Sequence, residues 1–455
     1  MKIELPDPFI EHINSKGEYF YSELSVFSKK PSENTGNPNS ERSVDHHPTS
    51  HISDDGIEIN TESVVNILGE EIVKTFPNPD NDTYVGFKDE KLEEYSTFID
   101  SLAKRKEIRD LLSDKYLDKL VFQWLKEKYL KSSEVTLTKY IIKNSENDIK
   151  PFRIAFPIQN LFIDSSFSVG NCKFTFLRQN LFDDLEEHYQ KEHGKEPSKT
   201  HQWLRDNFQG KVIAYHELIA EQDKAIEIAK REAEKSLVGL RFYSPSAKLP
   251  KLISTVGFFE SNIVPATHVF AFSEGLPDFV INPKINGQPF WNITAQEIKR
   301  MEDLSMYLID DLLKKSELTD FQETLTNCLF LLDKSITSSD IQDKLVFLLV
   351  CLETLLLKDS GEPIKKSIGL RLSFLGFEDI EDRKKVLEYL SEAYKYRSSY
   401  IHHGRRTDID DDLLTYFQAH VRTAILESLH KMDEFDTKLS FLNYLDDLVL
   451  TGDKA

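Results

Sequence analysis

The amino-acid sequence predicts an α+β multidomain protein, in which a carboxy-terminal all-α bundle follows an α+β domain and a helical amino-terminal region. Three observations favour this class. The chain has 455 residues, enough for two or three domains. Short β-rich runs concentrate between residues 151 and 290. From residue 292 onward, apolar residues recur almost only at helical spacing.

The first 150 residues divide into three predicted segments. Residues 1–28 form a short segment with several aromatic side chains, expected to dock on another part of the chain. Residues 29–60 are rich in Ser, Asn, Pro, His and charge, which predicts a flexible linker or loop because they bury too little apolar surface to offset the entropy of ordering. Residues 61–150 show apolar residues three and four positions apart and are predicted to be mostly helical.

Residues 151–319 are predicted to form the α+β domain. One long helix, Glu221–Leu240, carries an apolar stripe at helical spacing and is expected to be core packing. The predicted strands are Phe152–Pro157, Cys172–Leu177, Val212–Tyr215, Leu252–Phe259 and His268–Phe272.

Residues 320–450 are predicted to form the all-α bundle, which a helix from Asn292 or Thr294 to about Lys314 precedes. Carboxylates from Asp408 to Asp412 fall where a helix begins, which the helix dipole favours. The predicted helices cover residues 317–334, 339–358, 364–376, 379–402, 409–432 and 437–449.

The charge of the chain restricts its partners. Lys and Arg number 57 and Asp and Glu 77, a formal net charge of -20. An acidic surface repels nucleic acid, so any such contact must be local and basic. Cys172, Cys328 and Cys351 lie far apart among apolar residues, which indicates buried thiols in a reducing compartment rather than disulfides or a zinc cluster.

Several other classes are excluded. The amino terminus has no apolar signal core, and the longest apolar run, Leu345–Leu357, is too short to span a bilayer, so we expect a cytoplasmic protein with no membrane partner. No Gly-rich phosphate loop or zinc-protease histidine pair occurs. His46, His47 and His51 lie in the polar stretch. No metal and no cofactor are therefore predicted.

The segment Ala393–Arg406 carries the strongest indication of chemistry. It sets Arg397 ahead of His402 and His403 near the end of the helix predicted over 379–402. An arginine can hold two phosphate oxygens, and a histidine ordinarily titrates near neutral pH and can act as base or acid. Because RNA supplies its own nucleophile, the 2′-hydroxyl, these groups are a minimal set for cutting RNA without a metal.

The spacing of these residues leaves an alternative open. On a straight helix His402 and His403 lie about 140° and 240° around from Arg397. A fraying last turn, or the same segment of a second subunit, is needed to bring all three to one phosphate. In the structural interpretation, Gly404 simply ends the helix and the cations are favoured there by the dipole.

Glu353 interrupts the apolar helix Leu345–Leu357, and its carboxylate is expected to be half buried. Burying it without a partner is costly, so Arg397 or Arg371 should pair with it. The alternative is that Glu353 reaches the solvent at the edge of the bundle.

The carboxy-terminal part resembles the Apea-like branch of the HEPN superfamily over roughly residues 340–435. The pattern Leu-Glu-x-Leu is matched by Leu352–Leu355, and a following Arg-Leu by Arg371-Leu372. The signature Tyr-x-x-Arg-Ser-x-x-x-His-(His)-Gly is matched by Tyr394–Gly404. The arginine–histidine core is short, but its combination with the upstream helix and the trailing His-Gly is more specific.

The resemblance implies a HEPN-like helical bundle that is usually paired with a second copy. Many members are metal-independent endoribonucleases of toxin or antiviral-defence systems, and others only bind. Carried over, Arg397 and His402 are the motif residues, and His403 also falls within the allowed spacing. Many catalytic members have Asn after the arginine, where this chain has Ser398.

Two main hypotheses follow. The first is a dimeric, cytoplasmic HEPN-type endoribonuclease (a hydrolase of RNA, tRNA included) in antiviral defence or stress response. Residues 151–319 would then act as sensor or regulator of a protein or phage-derived trigger. The second is a non-catalytic module that binds a nucleotide, RNA or a protein, and a plain scaffold is a third. The site residues assigned under the first hypothesis are Arg397, His402 and His403 as catalytic, Glu353, Ser398 and Tyr394 as supporting, and Lys395, Arg405 and Arg406 as RNA-binding.

Overall fold

The computed structural model of the chain describes residues 3–28, 49–52, 58–65, 71–81, 83–194, 199–259, 267–273, 276–282, 287–288, 290–359, 361–406 and 408–452. The protein is a mixed α+β structure with a carboxy-terminal helical region. It divides into two compact units: the first comprises Met1–Ile154 with Glu217–Ile228, and the second Ala155–His216 with Ala229–Ala455.

The first unit combines helices with an antiparallel sheet of strand order β1-β5-β4-β3-β2. Phe20, Phe76, Phe87, Tyr95 and Phe122 meet in its core at ring-centroid distances between 5.1 and 6.4 Å. The elements, in chain order, are α1 (Asp7–Ser22), β1 (Ser25–Phe27), β2 (Thr49–Ile52), β3 (Glu58–Val65), β4 (Glu71–Asn78), β5 (Thr83–Lys88), α2 (Asp89–Ala103), α3 (Asp114–Lys131) and α4 (Leu137–Ser145).

The sheet corrects two sequence predictions. Part of the segment predicted as a linker, residues 29–60, is strand, because β2 pairs with β3 from Thr49↔Thr61 to Ile52↔Glu58. The region 61–150 is not mostly helical at its start, since β3, β4 and β5 cover most of the described residues before α2. His46 and His47 lie outside the described residues.

Three elements cross the division between the units: β6 (Lys150–Gln159), β10 (Val212–Ala220) and the long α7 (Gln222–Arg241). A five-stranded sheet has the order β12-β6-β10-β9-β8. The elements between β6 and α7 are β7 (Leu161–Ile163), β8 (Phe167–Val169), β9 (Cys172–Phe176), α5 (Gln179–His193) and α6 (Lys199–Phe208). Four of the five predicted strands and the long helix between 151 and 290 are confirmed. The predicted strand Leu252–Phe259 is instead two separate two-residue strands, Ile253–Ser254 and Gly257–Phe258, which belong to different sheets.

A 3₁₀ turn, Pro245–Ala247, follows α7, and the remaining strands are short. Two of them pair in parallel with distant strands: β11 with β15, and β16 with β7. Their bounds are β11 (Ile253–Ser254), β12 (Gly257–Phe258), β13 (Thr267–Ser273), β14 (Leu276–Asn282), β15 (Gly287–Gln288) and β16 (Trp291–Ile293).

Eight helices make up the described carboxy-terminal region. They are α8 (Ala295–Asp303), α9 (Met306–Lys314), α10 (Asp320–Thr337), α11 (Ile341–Leu356), α12 (Ile364–Gly376), α13 (Ile380–His403), α14 (Asp411–His430) and α15 (Lys438–Thr451).

The helices of the bundle agree with the sequence predictions within a few residues, because all of them except α12 begin at a residue whose side chain caps the helix. Thr319 and Gln322 form a capping box on α10, and Asp340 caps α11 through the N–H groups of Gln342 and Asp343. The helix predicted to run unbroken to about Lys314 is instead two helices, since Ser305 between them adopts φ 63°.

The predicted domain 151–319 is not separate from the bundle. Phe174 of β9, Leu313 of α9 and Phe321 of α10 belong to one continuous buried core within the second unit. Cys172, Cys328 and Cys351 are buried free thiols, as predicted. Among the described helices, none has the length and apolar character needed to cross a bilayer.

Candidate active site at the end of α13

The candidate site lies on the last two turns of α13. Asp379 starts this helix by accepting hydrogen bonds from the N–H groups of Glu381 (2.7 Å) and Asp382 (3.4 Å). Gly404 ends it in the left-handed conformation at φ 62°, with its N–H bonded to the Tyr400 carbonyl. The helix is therefore regular through His403, and of the two alternatives that the sequence left open, fraying of the last turn does not occur.

The end of α13 extends beyond the core that buries its middle. Val386, Leu390 and Ala393 are buried as predicted. On α13, all of which is described, no side chain after Tyr394 is buried. Ile401, predicted to continue the apolar stripe, is 53% exposed. The motif residues therefore stand on a solvent-facing helix end.

Two contacts to the start of α11 hold this helix end in place. The Tyr400 hydroxyl donates to the Asp343 carboxylate at 3.0 Å. Arg406 Nη2 lies 3.0 Å from Asp340 Oδ2. Because Asp340 also caps α11, the loop after α13 is tied to a rigid element, a connection that the sequence did not indicate.

Glu353 of α11 contacts Tyr394 and Arg397 of α13. Pairing with Arg397 was one of the two possibilities that the sequence left open. The Oε1 atom of Glu353 accepts a hydrogen bond from the Tyr394 hydroxyl at 2.9 Å and lies 3.6 Å from Arg397 Nη1. Its side chain is 19% exposed and that of Arg397 is 31% exposed. Glu353 is therefore a half-buried carboxylate with a donor and a cation, and Arg397 is the partner that the sequence left open.

The charges and burial of Glu353, Tyr394 and Arg397 determine which of these side chains donate hydrogen bonds. Burial, and then the neighbouring Glu353 carboxylate, hold the pKa of the Tyr394 hydroxyl above its ordinary range, so the hydroxyl stays protonated. The Arg397 guanidinium carbon lies 5.9 Å from the Tyr394 ring centroid. Its Nε is buried and has no hydrogen-bond partner among the described residues. Arg397 is thus paired with Glu353 on one side, and the exposed part of its guanidinium, though not the buried Nε, is available to an anion.

Arg397, His402 and His403 border the same cleft. This cleft has a volume of about 520 Å³ and is also lined by Lys365, Tyr394, Lys395, Ser398 and Ser399. A straight helix presents all three motif residues to it because the opening wraps around the helix end. The contribution of a second subunit stays a prediction.

Lys365 is a site residue that sequence reasoning missed. It lies in the first turn of α12, and α12 approaches α13 closely at Gly369, where a Cβ would stand 2.5 Å from the Leu387 side chain. One signal was present in the sequence: Lys365 and Lys366 occupy a helix start, where the dipole disfavours cations. A pair of cations at this position therefore indicates that they attract negative charge from outside the helix.

The two histidines are exposed, and the described residues offer neither of them a hydrogen bond. Lys395, Ser398 and Arg405 are also exposed. Arg406 is partly neutralised by Asp340, so it contributes less free positive charge than predicted. Lys365, Lys395 and Arg397 therefore form the cationic rim of the cleft, together with the imidazoles.

Arg371, the other proposed partner of Glu353, has a different role. Its guanidinium bonds Glu362 Oε1 at 2.8 Å, Asp446 Oδ1 at 2.8 Å and the Leu356 carbonyl at 2.7 Å. Only 3% of the residue is exposed. Arg371 is thus a structural link between α11, α12 and α15, and it does not line the cleft.

Replacing Glu353 with alanine is expected to lower the free energy of unfolding by about 1–3 kcal/mol, because the buried Tyr394 hydroxyl loses its acceptor and Arg397 its counter-charge. Urea unfolding followed by circular dichroism measures this. The control is Glu392→Ala on the exposed side of α13, expected to change stability by less than about 0.5 kcal/mol. Equal losses of stability from the two substitutions would contradict the stabilising contacts of Glu353 with Tyr394 and Arg397.

The arrangement can bind a phosphate and move a proton. A guanidinium and two ammonium groups face a shallow opening together with two imidazoles, and the described residues contain no group of three His, Cys, Asp or Glu side chains placed to hold a metal ion. Comparison of the chain with protein families, with curated proteins and with solved structures gives no match.

Proposed function

We propose that the chain is a metal-independent endoribonuclease of the HEPN type whose active site is the cleft at the end of α13. One observation carries the proposal: Arg397, His402 and His403 line a single opening with Lys365 and Lys395. The resemblance of residues 340–435 to the Apea-like branch supports the same assignment. So does the pairing of Glu353 with Tyr394 and Arg397, which links the two resembling motifs.

The proposed reaction is internal transesterification of RNA. A base removes the 2′-hydroxyl proton, the 2′-oxygen attacks the adjacent phosphorus, and the bond from phosphorus to the 5′-oxygen breaks as an acid protonates that oxygen. Arg397 binds the non-bridging oxygens, on which negative charge builds up. His402 transfers a proton, and His403 or a second copy of the chain provides the complementary group. The products are a 2′,3′-cyclic phosphate and a 5′-hydroxyl.

The charge distribution supports local RNA binding on an acidic protein. With a net charge of -20, most of the surface repels RNA, and the cationic end of α13 concentrates the attraction at one place. The carboxyl end of a helix carries partial negative charge, which offsets part of the repulsion among clustered cations. Substrate would therefore approach along the Lys365, Lys395 and Arg405 side.

Replacing Arg405 with glutamine is expected to reduce the slope of log affinity for single-stranded RNA against log salt by about 0.7, the contribution of one phosphate contact. Arg406→Gln is the matched control, because Arg406 already pairs with Asp340, and we expect a smaller change. Fluorescence anisotropy with a labelled oligoribonucleotide at several salt concentrations measures both. A larger change of the slope from Arg406→Gln would contradict the assignment of Arg405 as a contact to an RNA phosphate.

The chemistry of the RNA ends tests the proposed reaction. Fragments from the purified chain should carry 5′-hydroxyl ends that polynucleotide kinase labels without prior phosphatase treatment. Fragments with 5′-phosphates would show a hydrolytic nuclease of another mechanism and would contradict the role of the 2′-hydroxyl.

A second function, a non-catalytic module that binds RNA or a nucleotide, is favoured by one observation. Catalytic imidazoles are commonly oriented by a third group, but the described residues supply no hydrogen bond to His402 or His403. Many catalytic members of the family that this segment resembles have Asn after the arginine, and Ser398 at this position also favours a binding module. Such a module would lose RNA affinity in Arg397→Gln and keep it in His402→Gln, with no cleavage by the parent protein.

A further inference from the structure

A second cluster of cations lies in the second unit, on elements other than the α12 and α13 that carry the cleft residues. Arg422 of α14 places its guanidinium carbon 5.2 Å from the Phe242 ring centroid. Gln418, one turn earlier on α14, donates to the Ser246 carbonyl at 2.9 Å and so fixes α14 against the 3₁₀ turn 245–247. Lys248 directly follows this turn.

Arg300 of α8 joins the same cluster. The Tyr243 hydroxyl donates to the carbonyl of Leu304, the residue that ends α8, at 3.1 Å. This bond ties the end of α8 to the segment that carries Lys248. Burial, and then the nearby Arg300 and Arg422 guanidiniums, lower the pKa of Lys248. Burial also lowers the pKa of Arg422, and Arg300 adds to the effect.

The cluster has more positive than negative charge. Arg300 pairs with Glu297. Within the described part of the chain, no carboxylate lies within ion-pair distance of Arg422 or Lys248. Placing cations beside one another costs free energy unless an anion offsets it.

Unused hydrogen-bonding atoms surround the same place. The Nε atoms of Arg300 and Arg422 are buried and have no hydrogen-bond partner among the described residues, and the same is true of Ser246 Oγ and Gln418 Oε1. Ser246 and Gln418 are fully buried, at 0% exposure. Buried polar atoms without partners, whether donors such as the two Nε atoms or acceptors such as Gln418 Oε1, are uncommon in folded proteins and call for an explanation.

We propose that Arg300, Arg422 and Lys248 form a binding site for a phosphate group, carried by a small molecule or free in solution. Two guanidiniums and an ammonium match the charge and the several acceptors of a phosphate dianion. The guanidinium of Arg422 has no carboxylate partner within the described residues, and it is the group that the phosphate would pair with. The Phe242 ring under Arg422 holds one guanidinium in position, as stacking on aromatic faces does. This site is independent of the proposed nuclease.

The test is thermal unfolding and calorimetric titration of the full chain with inorganic phosphate, against chloride at equal ionic strength. Because the α13 cleft is itself expected to bind phosphate, every protein is prepared in an Arg397→Gln background. We expect phosphate to raise the unfolding midpoint. Lys248→Gln, at an exposed position that is safe for folding, and Arg422→Gln should each weaken binding roughly tenfold or more.

Arg383→Gln is the matched control, because Arg383 of α13 contacts Phe374 and the Phe377 carbonyl instead, and it should bind phosphate like its background. Adenosine monophosphate beside adenosine distinguishes a phosphomonoester from free phosphate as the ligand. The proposal would be overturned if phosphate gave no shift of the unfolding midpoint in the Arg397→Gln background. It would also be overturned if the Lys248→Gln and Arg422→Gln variants bound phosphate as tightly as that background.

Discussion

Replacing His402 with alanine is expected to slow RNA cleavage by about 10²–10⁴-fold, the usual contribution of a general acid or base. The fold should survive, because His402 is exposed and the described residues give it no hydrogen bond. The free energy of unfolding should change by less than about 0.5 kcal/mol, as at ordinary surface positions. Single-turnover cleavage of a defined RNA by parent and variant, with circular dichroism melts beside it, measures both quantities.

The control for this prediction is His430→Ala, an exposed histidine in the last turn of α14, whose loss should leave cleavage unchanged. His403→Ala decides between the two candidates, since both imidazoles line the cleft. If the His402 and His403 variants both cleave at the parent rate, neither imidazole transfers the proton, and the site is wrong.

Replacing Arg371 with methionine is expected to lower the free energy of unfolding by about 3 kcal/mol, since removing one partner of a buried ion pair leaves uncompensated charge. Glu362, Asp446 and the Leu356 carbonyl would lose their hydrogen bonds from Arg371 together, and among the described residues only Lys358 would remain bonded to the two carboxylates. Arg405→Met, at an exposed arginine, is the control and should change stability by less than about 0.5 kcal/mol. Urea unfolding measures both variants, and equal losses would contradict the structural role of Arg371.

The effect of Arg371 should depend on pH in a defined direction. Hydrogen bonds from Arg371 hold the pKa of Glu362 below its ordinary value, and they do the same for Asp446 against the effect of burial. A carboxylate with a lowered folded pKa contributes stability that is present above its unfolded pKa of about 4 and is lost as pH falls through the folded pKa. The stability difference between parent and Arg371→Met should therefore be full at pH 7 and shrink below about pH 4.

The carboxy-terminal helices were predictable because local signals agreed with periodicity. Thr294, Thr319 and Asp340 cap their helices through side-chain bonds to the chain just ahead of them. The strands β4 and β5 were not predicted, because Pro77 lies within β4 and weakens the strand pattern there. Periodicity also does not tell which elements share a core, so the joining of 155–216 with the bundle was missed.

The site was predictable only in part, because the sequence pattern does not tell which helices pack together. The order of Arg397, His402 and His403 can be read from the chain, but their meeting at one cleft depends on where α12 packs. Choosing Arg397 over Arg371 as the partner of Glu353 required knowing that Arg371 is occupied by Glu362 and Asp446. Lys365 comes from a separate helix, so no motif on α13 could include it.

The most direct test of the central claim is cleavage of total cellular RNA and tRNA in EDTA by the purified chain and by the Arg397→Ala, His402→Ala double variant. The proposal predicts discrete fragments from the parent and none from the variant, with equal melting behaviour. No cleavage by the parent, or the same fragments from both proteins, would contradict a metal-independent nuclease at the end of α13.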